Sequence, residues 1–220
     1  MTKLACWILA VALAGTSGSA LAQSLVEPVQ LPLAYSSGIS SPVIDPALEL
    51  KGQPLLDVLR SGGLVLFMRH AHTSDPRPAC PDEGGLTSVG EQQARWVGAA
   101  IKRLRVPIAL VQASALCRAK DTAMLLGLGE VTVNAELNPG AVRDSGYDHA
   151  RRYVYLNRQP PANANVLLVS HVQGTPVKQD NILIELAEVV VYRPVTGGRP
   201  APVARIPVSS WQALLSLAPP

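Results

Sequence analysis

The sequence predicts an α/β fold: a three-layer α/β/α sandwich with a mainly parallel central sheet. Short, continuously apolar runs alternate with longer amphipathic segments along the chain. This alternation is typical of strands buried on both faces and joined by crossover helices. Near the carboxyl end, two apolar runs flank the turn sequence GGRP, which predicts a C-terminal hairpin at the sheet edge.

The elements are predicted in order along the chain. The segment 54–63 predicts a helix with a proline in its first turn, and the two glycines that end the segment lie past the end of that helix. A buried strand follows over residues 64–68. The next helix, within residues 86–104, has an apolar face formed by Ala94, Val97, Ile101 and Leu104. The later elements are a strand in 106–114, a helix in 115–129, a weak strand at 131–134, a helix in 147–158, a strand in 164–171, the hairpin of 188–194 and 202–208, and a short helix at 209–217.

The first 22 residues have the pattern of a secretory signal peptide. Lys3 supplies a positive start, residues 4–13 form an apolar stretch, and Ala20 and Ala22 form an Ala-x-Ala cleavage pattern. The apolar stretch is too short to span a membrane, so no stable membrane anchor is expected. A periplasmic or secreted protein is therefore expected; a retained N-terminal anchor is the alternative.

The mature chain is predicted to hold one domain. Residues 23–52 are rich in proline and serine and predict an extended lead-in, and residues 53–220 have the length of a single core. The net charge of +3, without a dense basic run or aromatic platform, argues against nucleic-acid binding. No protein partner is predicted.

Two cysteines, Cys80 and Cys117, follow the leader. In an oxidising compartment such a pair predicts a disulfide, with two unpaired thiols as the alternative. The sequence has no Cys-x-x-Cys or His-rich spacing of the kind that binds metals, so no metal site and no cofactor are expected.

Three polar clusters end three of the predicted strands. They are Arg69-His70, Ser114 to Arg118, and Ser170-His171. The carboxyl ends of parallel strands meet at one edge of a sheet, where ligands collect. Taken alone, each histidine could be structural and each arginine a surface ion-pairing group. Together, two guanidinium forks and two imidazoles suit an anion with tetrahedral oxygens, and phosphate is the natural candidate.

Four segments resemble the motifs of the histidine phosphatase (phosphoglycerate-mutase-like) superfamily. LVLFMRHAHT (64–73) is similar to its Arg-His-Gly signature, and LTSVGEQQA (86–94) to its Leu-Thr-x-x-Gly-x-x-Gln-Ala helix start. SALCRAKDTA (114–123) resembles its Ser-x-x-x-Arg-x-x-x-Thr-Ala segment, and LLVSHVQG (167–174) the strand with the second histidine. All four occur in the family's order.

The resemblance implies a secreted bacterial phosphohydrolase that cleaves phosphomonoesters. His70 would attack phosphorus and form a phosphohistidine, while Arg69, Arg118 and His171 hold the phosphoryl oxygens. Flanking guanidiniums are expected to keep His70 neutral. The implied reaction needs no metal, and the expected substrate is a small-molecule or glycan phosphate.

Other positions near the motifs carry further expectations. Ala71 replaces the signature glycine, so its φ should not be strongly positive. The substrate-binding candidates are Thr73, Ser114 and, at the pocket rim, His72.

The general acid is the position at which the sequence departs from the family. The family pattern favours a Glu shortly after Leu137, but Asn and Pro stand there. Glu136 is therefore the candidate acid, with Asp144 in reserve. A phosphomutase and an inactive relative that binds a phosphorylated ligand or partner are the alternative functions.

Overall fold

The computed structural model of the protein describes residues 44–74, 80, 84–138, 154–171 and 184–218. The predicted leader, most of the lead-in, Asp144 and most of the 147–158 helix lie outside these residues. None of the helices in the described ranges has the length and apolarity needed to cross a membrane.

The described elements follow the predicted order. The strands are β1 (Val65–Arg69), β2 (Ile108–Ala113), β3 (Val131–Val133), β4 (Asn165–Ser170), β5 (Val189–Arg193) and β6 (Ala201–Ile206). The helices are α1 (Gly52–Ser61), α2 (Ser88–Arg103), α3 (Cys117–Leu126) and α4 (Ser210–Leu215), and Ala135–Leu137 form a 3₁₀ turn.

The six strands form one sheet in the order β3-β2-β4-β1-β5-β6. β4 lies between β2 and β1 and is parallel to both, and β3 is parallel to β2. β5 and β6 form an antiparallel hairpin, and β5 pairs antiparallel with β1. The predicted α/β class, the mainly parallel sheet and the hairpin at its edge are confirmed.

Both faces of the sheet are covered by apolar side chains. On one face, α1, α2, α3 and α4 pack over the alternate strand residues that include Leu66 and Leu167. On the other face, Leu137, Leu156 and Ile184 pack over Val65, Phe67, Leu168 and their neighbours. This two-sided burial is the reason that the strands read as continuous apolar runs rather than as alternating ones.

Helix α2 forms where its sequence predicts it. Thr87 caps its N-terminus by accepting a hydrogen bond from the Gly90 amide, and the four residues of its predicted apolar face are fully buried. α2 approaches α3 so closely that a Cβ on Gly98 would lie 2.0 Å from the Leu126 carbonyl oxygen. α3 ends at Gly127, whose left-handed conformation suits glycine.

Two details differ from the sequence prediction. β1 runs one residue further than expected, so Arg69 is the last residue of the strand rather than the first after it. The last part of the lead-in joins the fold, because the Leu50 amide donates to the Val203 carbonyl of β6 at 2.8 Å.

The structure joins Cys80 to Cys117 in a disulfide across 37 positions, with a Cα–Cα distance of 6.1 Å. Cys117 is the first residue of α3 and directly precedes Arg118. The bridge therefore ties the loop that follows β1 to the start of the helix that carries Arg118.

We expect reduction of this bridge to lower the free energy of unfolding by about 2–4 kcal/mol, because cross-linking restricts the unfolded chain. Urea denaturation with and without a reductant measures the difference. The Cys80→Ser/Cys117→Ser protein is the control and should not respond to the reductant. Equal midpoints for the reduced and oxidised natural protein would contradict the expectation.

Candidate active site

The three polar clusters meet at the carboxyl edge of the neighbouring strands β1, β4 and β2, as the parallel topology predicts. The ring centroids of His70 and His171 are 5.1 Å apart. Arg118 reaches the same place from α3, with its Nε 3.2 Å from Nδ1 of His171. Arg69 raises the local positive charge enough to lower the pKa of both histidines.

The backbone around His70 selects one tautomer of its ring. Nδ1 lies 2.9 Å from the carbonyl oxygen of Ala71, which can only accept, so Nδ1 carries the proton. In the neutral ring, Nε2 is then the unprotonated nitrogen and presents its lone pair. φ at Ala71 is not positive, in agreement with the expectation for an alanine in place of the signature glycine.

Burial is the main reason that His70 is neutral. Only 7% of its surface is exposed. Desolvation, and to a smaller extent Arg69 and Arg118, lower its pKa to about 4, against the opposing hydrogen bond to Ala71. The sequence predicts a neutral His70 from the flanking arginines, but their effect is secondary.

His171 is also buried and neutral, and its two ring nitrogens have different partners. Nδ1 accepts a hydrogen bond from Nε of Arg118, so the proton is on Nε2, which lies 2.7 Å from Oγ of Ser114. Burial, His70 and the two arginines lower the pKa of His171 to about 3. The hydroxyl of Ser114 is fully buried and also accepts from the Leu116 amide. The predicted substrate-binding residue Ser114 thus holds the His171 ring in place.

Arg69 is anchored at one nitrogen and unpartnered at another. Nη1 donates to the carbonyl oxygen of Ile184 at 2.9 Å. Its buried Nε has no hydrogen-bond partner among the described residues. A buried N–H of a charged group without a partner is costly, and an anionic ligand would satisfy it.

Thr122 connects the two arginine-bearing segments. Its Oγ1 accepts from the Ala71 amide at 3.0 Å and donates to the carbonyl oxygen of Arg118 at 2.7 Å. Thr122 is fully buried. The sequence contains it only as part of the Ser-x-x-x-Arg-x-x-x-Thr-Ala motif, without indicating this function.

His72, a predicted rim residue, is tied to the start of α2. Its Nδ1 lies 2.9 Å from Oγ1 of Thr87, its amide donates to Oε1 of Gln93, and its carbonyl accepts from the Thr87 amide. A Cβ on Gly90 would lie 2.0 Å from that carbonyl oxygen. The Thr, Gly and Gln of the second motif therefore all contact one residue, two positions after His70.

The candidate acid Glu136 and the candidate Thr73 lie in segments that adjoin the site's strands. Glu136 is exposed, in the 3₁₀ turn that is fixed to β4 by the hydrogen bond from Oγ of Ser170 to the Leu137 carbonyl. Thr73 is half-buried and forms an isolated bridge with Leu86. No group of three His, Cys, Asp or Glu residues that could hold a metal occurs in the described part of the chain.

The fold thus brings two histidines and two arginines together at the carboxyl edge of the sheet. Residues 65–140 match the model of the histidine phosphatase superfamily (branch 1). The matched segment contains Arg69, His70 and Arg118, and over this segment the chain is similar to that superfamily, as the sequence motifs predict. A search of curated proteins found no match to the sequence.

The chain is similar to several solved structures at low sequence identity. The protein histidine phosphatase SixA, solved with tungstate, is 19% identical with a TM-score of 0.51, over 66% of this chain and 97% of its own. A mycobacterial glucosyl-3-phosphoglycerate phosphatase is 18% identical, with a TM-score of 0.41 over 60% of this chain and 91% of its own. Phosphoserine phosphatase from Entamoeba histolytica is 16% identical, with a TM-score of 0.44 over 69% and 98%.

The two lowered pKa values predict a pH-dependent stability. In the folded protein the pKa values of His70 and His171 are about 4 and 3, against an ordinary 6.5. Below pH 6.5 the unfolded chain therefore binds more protons than the folded protein. We therefore expect the free energy of unfolding to fall as the pH drops from 6.5 towards 3, by roughly 1.4 kcal/mol per unit for each histidine. Urea denaturation at each pH measures it.

The matched variant is His171→Gln, which lacks one of the two groups. Between pH 4 and 6.5, its stability should change less steeply than that of the natural protein. Parallel curves for the two proteins over this range would contradict a strongly lowered pKa of His171.

Proposed function

We propose that the protein is a metal-independent phosphohydrolase that cleaves phosphomonoesters through a phosphohistidine on His70. The observation that carries the proposal is the state of His70: a buried, neutral imidazole whose Nδ1 is bonded to Ala71, which leaves Nε2 as the nucleophilic nitrogen beside two arginines. Neutral imidazole is the form that can attack phosphorus.

The reaction has two steps. Nε2 of His70 attacks phosphorus, the P–N bond forms, and the bond to the ester oxygen breaks. The departing oxygen takes a proton from the general acid and leaves as an alcohol. Water then attacks the phosphohistidine and gives a proton back to the resulting carboxylate, the P–N bond breaks, and inorganic phosphate and neutral His70 are released.

Arg69, Arg118 and His171 supply the electrostatic stabilisation. The two guanidiniums give the site two positive charges, which match a phosphoryl dianion and the charge on the equatorial oxygens of the transition state. The unpartnered Nε of Arg69 is available to one oxygen. When Arg118 turns to the ligand, Nδ1 of His171 loses its donor, and proton uptake beside the dianion would make it a donor as well.

Glu136 is the proposed general acid, with Asp144 in reserve. It lies on the turn that is bonded to Ser170, the residue before His171, and its exposed side chain could approach a bound ester without disrupting the core. The leader pattern supports a periplasmic or secreted location. In that location, a small phosphate ester or a phosphorylated glycan is the proposed substrate.

The first test concerns the nucleophile. We expect His70→Ala to lower turnover at least about a thousandfold, because the covalent step is lost. Acid-labile, base-stable labelling from a ³²P-phosphate ester should disappear with it. The folded variant should still bind inorganic phosphate by calorimetry.

His72→Ala is the matched control, since this histidine is only two positions away and contacts Thr87. It should retain the label and lose stability instead. A label that survives in His70→Ala, or vanishes only in His72→Ala, would overturn the assignment.

The second test concerns the acid. An alkoxide leaving group needs a proton, and a placed carboxylic acid supplies about 10²–10⁴ in rate, whereas nitrophenolate leaves without it. Glu136→Gln should therefore reduce hydrolysis of an alkyl phosphate far more than that of nitrophenyl phosphate.

Glu130→Gln is its control, because this exposed carboxylate directly precedes β3, at the end of that strand away from the site. An equal loss of turnover with both substrates would indicate that Glu136 holds the site in position and does not donate the proton. No loss with either would remove it as the acid.

An inactive relative that binds a phosphorylated ligand or partner is the second candidate. The observation in its favour is that the Glu136 side chain is exposed rather than buried beside His70. Tight binding of phosphate, without release of phosphate from any ester in a panel, would support this alternative.

A further inference from the structure

A buried carboxylate lies beside Arg69, on the strand next to it. The pairing of β1 with β5 ends at Met68 and Val189, and the next hydrogen bond runs from the Arg69 amide to the Glu188 carbonyl. Residues opposite each other on paired strands share a face of the sheet. The side chains of Arg69 and Glu188 therefore lie on the same face, at the edge where the site is built.

Glu188 binds a different arginine. Nε and Nη2 of Arg205 donate to its two carboxylate oxygens at 2.5 and 2.6 Å, and the Glu185 amide donates to Oε2 at 2.6 Å. Arg205 pairs with Val190 across the hairpin, which brings its side chain to the same face as Glu188. The Glu188 side chain is fully buried.

Glu188 also affects Arg69 electrostatically. Burial and Arg118 lower the pKa of Arg69, whereas the Glu188 carboxylate raises it. The carboxylate thus interacts electrostatically with Arg69 and has its bidentate contact with Arg205. Arg69 keeps a buried Nε without a partner among the described residues.

We propose that Arg205 is a positioning residue that occupies the Glu188 carboxylate and so leaves the Arg69 guanidinium available to the phosphoryl group. The inference rests on the proposed function, because it requires an anion in the site. It assigns the C-terminal hairpin a part in substrate binding, although the hairpin lies outside the segment that matches the superfamily.

The physical reason is the cost of an uncompensated buried charge. A carboxylate that loses its partner in the interior binds the nearest available cation. Without Arg205, that cation is Arg69. Arg69 would then lose its free donor, and half of the site's positive charge would be neutralised. If Glu188 is replaced together with Arg205, no carboxylate remains to compete with phosphate for Arg69.

The test is a double-mutant cycle on the dissociation constant for inorganic phosphate, measured by calorimetry on folded protein. We expect Arg205→Met to weaken binding about tenfold or more, the loss of one charge-assisted contact. Glu188→Gln should not weaken it. The double variant Glu188→Gln/Arg205→Met should return to within about threefold of the natural protein.

An ion pair that only stabilises the fold predicts a different pattern. All three variants would then bind phosphate equally well or, if the turn at 184–188 loosens, the double variant would bind no better than Arg205→Met. Either result overturns the inference. Urea denaturation of each variant separates affinity from stability.

A second pair keeps the test decisive if Arg205→Met does not fold. Arg205→Lys retains the charge but not the fork, so it should weaken phosphate binding less, and Glu188→Gln should again reverse the loss. Identical affinities for Arg205→Lys and its Glu188→Gln double overturn the inference. If the natural protein binds no phosphate, the proposed function fails too; if it binds phosphate and the cycle is flat, only the inference about Arg205 fails.

Discussion

Two like charges held close together in a partly buried place are the constraint on which this protein depends. Arg118 and burial lower the pKa of Arg69, and the neighbouring imidazoles are neutral because they are buried. Such an arrangement is unstable unless the surrounding structure imposes it. A bound anion would recover this cost, because positive groups that are already held in position need no rearrangement when the anion arrives.

The surrounding structure holds this arrangement largely through the backbone rather than through the side chains of His70 and the two arginines. Thr122 fixes the amide of Ala71 to the segment that carries Arg118. Thr87 and Gln93 hold His72 by hydrogen bonds, and Gly90 approaches its carbonyl so closely that only glycine fits. His70 is therefore held from the residues that follow it, with its ring free of these contacts.

The sequence predicts the parts of the fold that rest on local or periodic signals. The apolar face of α2 and the apolar runs of β1 and β4 are such signals, and their burial is confirmed. The gathering of Arg69, His70, Arg118 and His171 follows from the rule that parallel strands end at one edge. With that rule, residues that are distant along the chain can be predicted to lie close together even when their individual contacts are unknown.

What the sequence does not predict depends on specific pairs of side chains. The hydroxyl of Ser114 has the chemistry to contact a phosphate, but the fold directs it to His171. Glu188 and Arg205 lie in a segment whose sequence predicts a hairpin. The pattern of apolar and polar residues in that hairpin does not indicate that the two charged side chains form an ion pair. The main cause of the low pKa of His70 also depends on how deeply the edge of the sheet is buried, which composition does not reveal.

The strand order has a consequence for how the chain acquires its structure. β1 and β2 are consecutive in sequence but do not touch, because β4 lies between them. Until β4 pairs with them, β1 and β2 each have one edge without a neighbouring strand. Such unpaired apolar edges are prone to pair with other chains. β4 also brings His171. The pairing that joins β1 to β2 through β4 therefore also brings the second histidine beside Arg69 and His70.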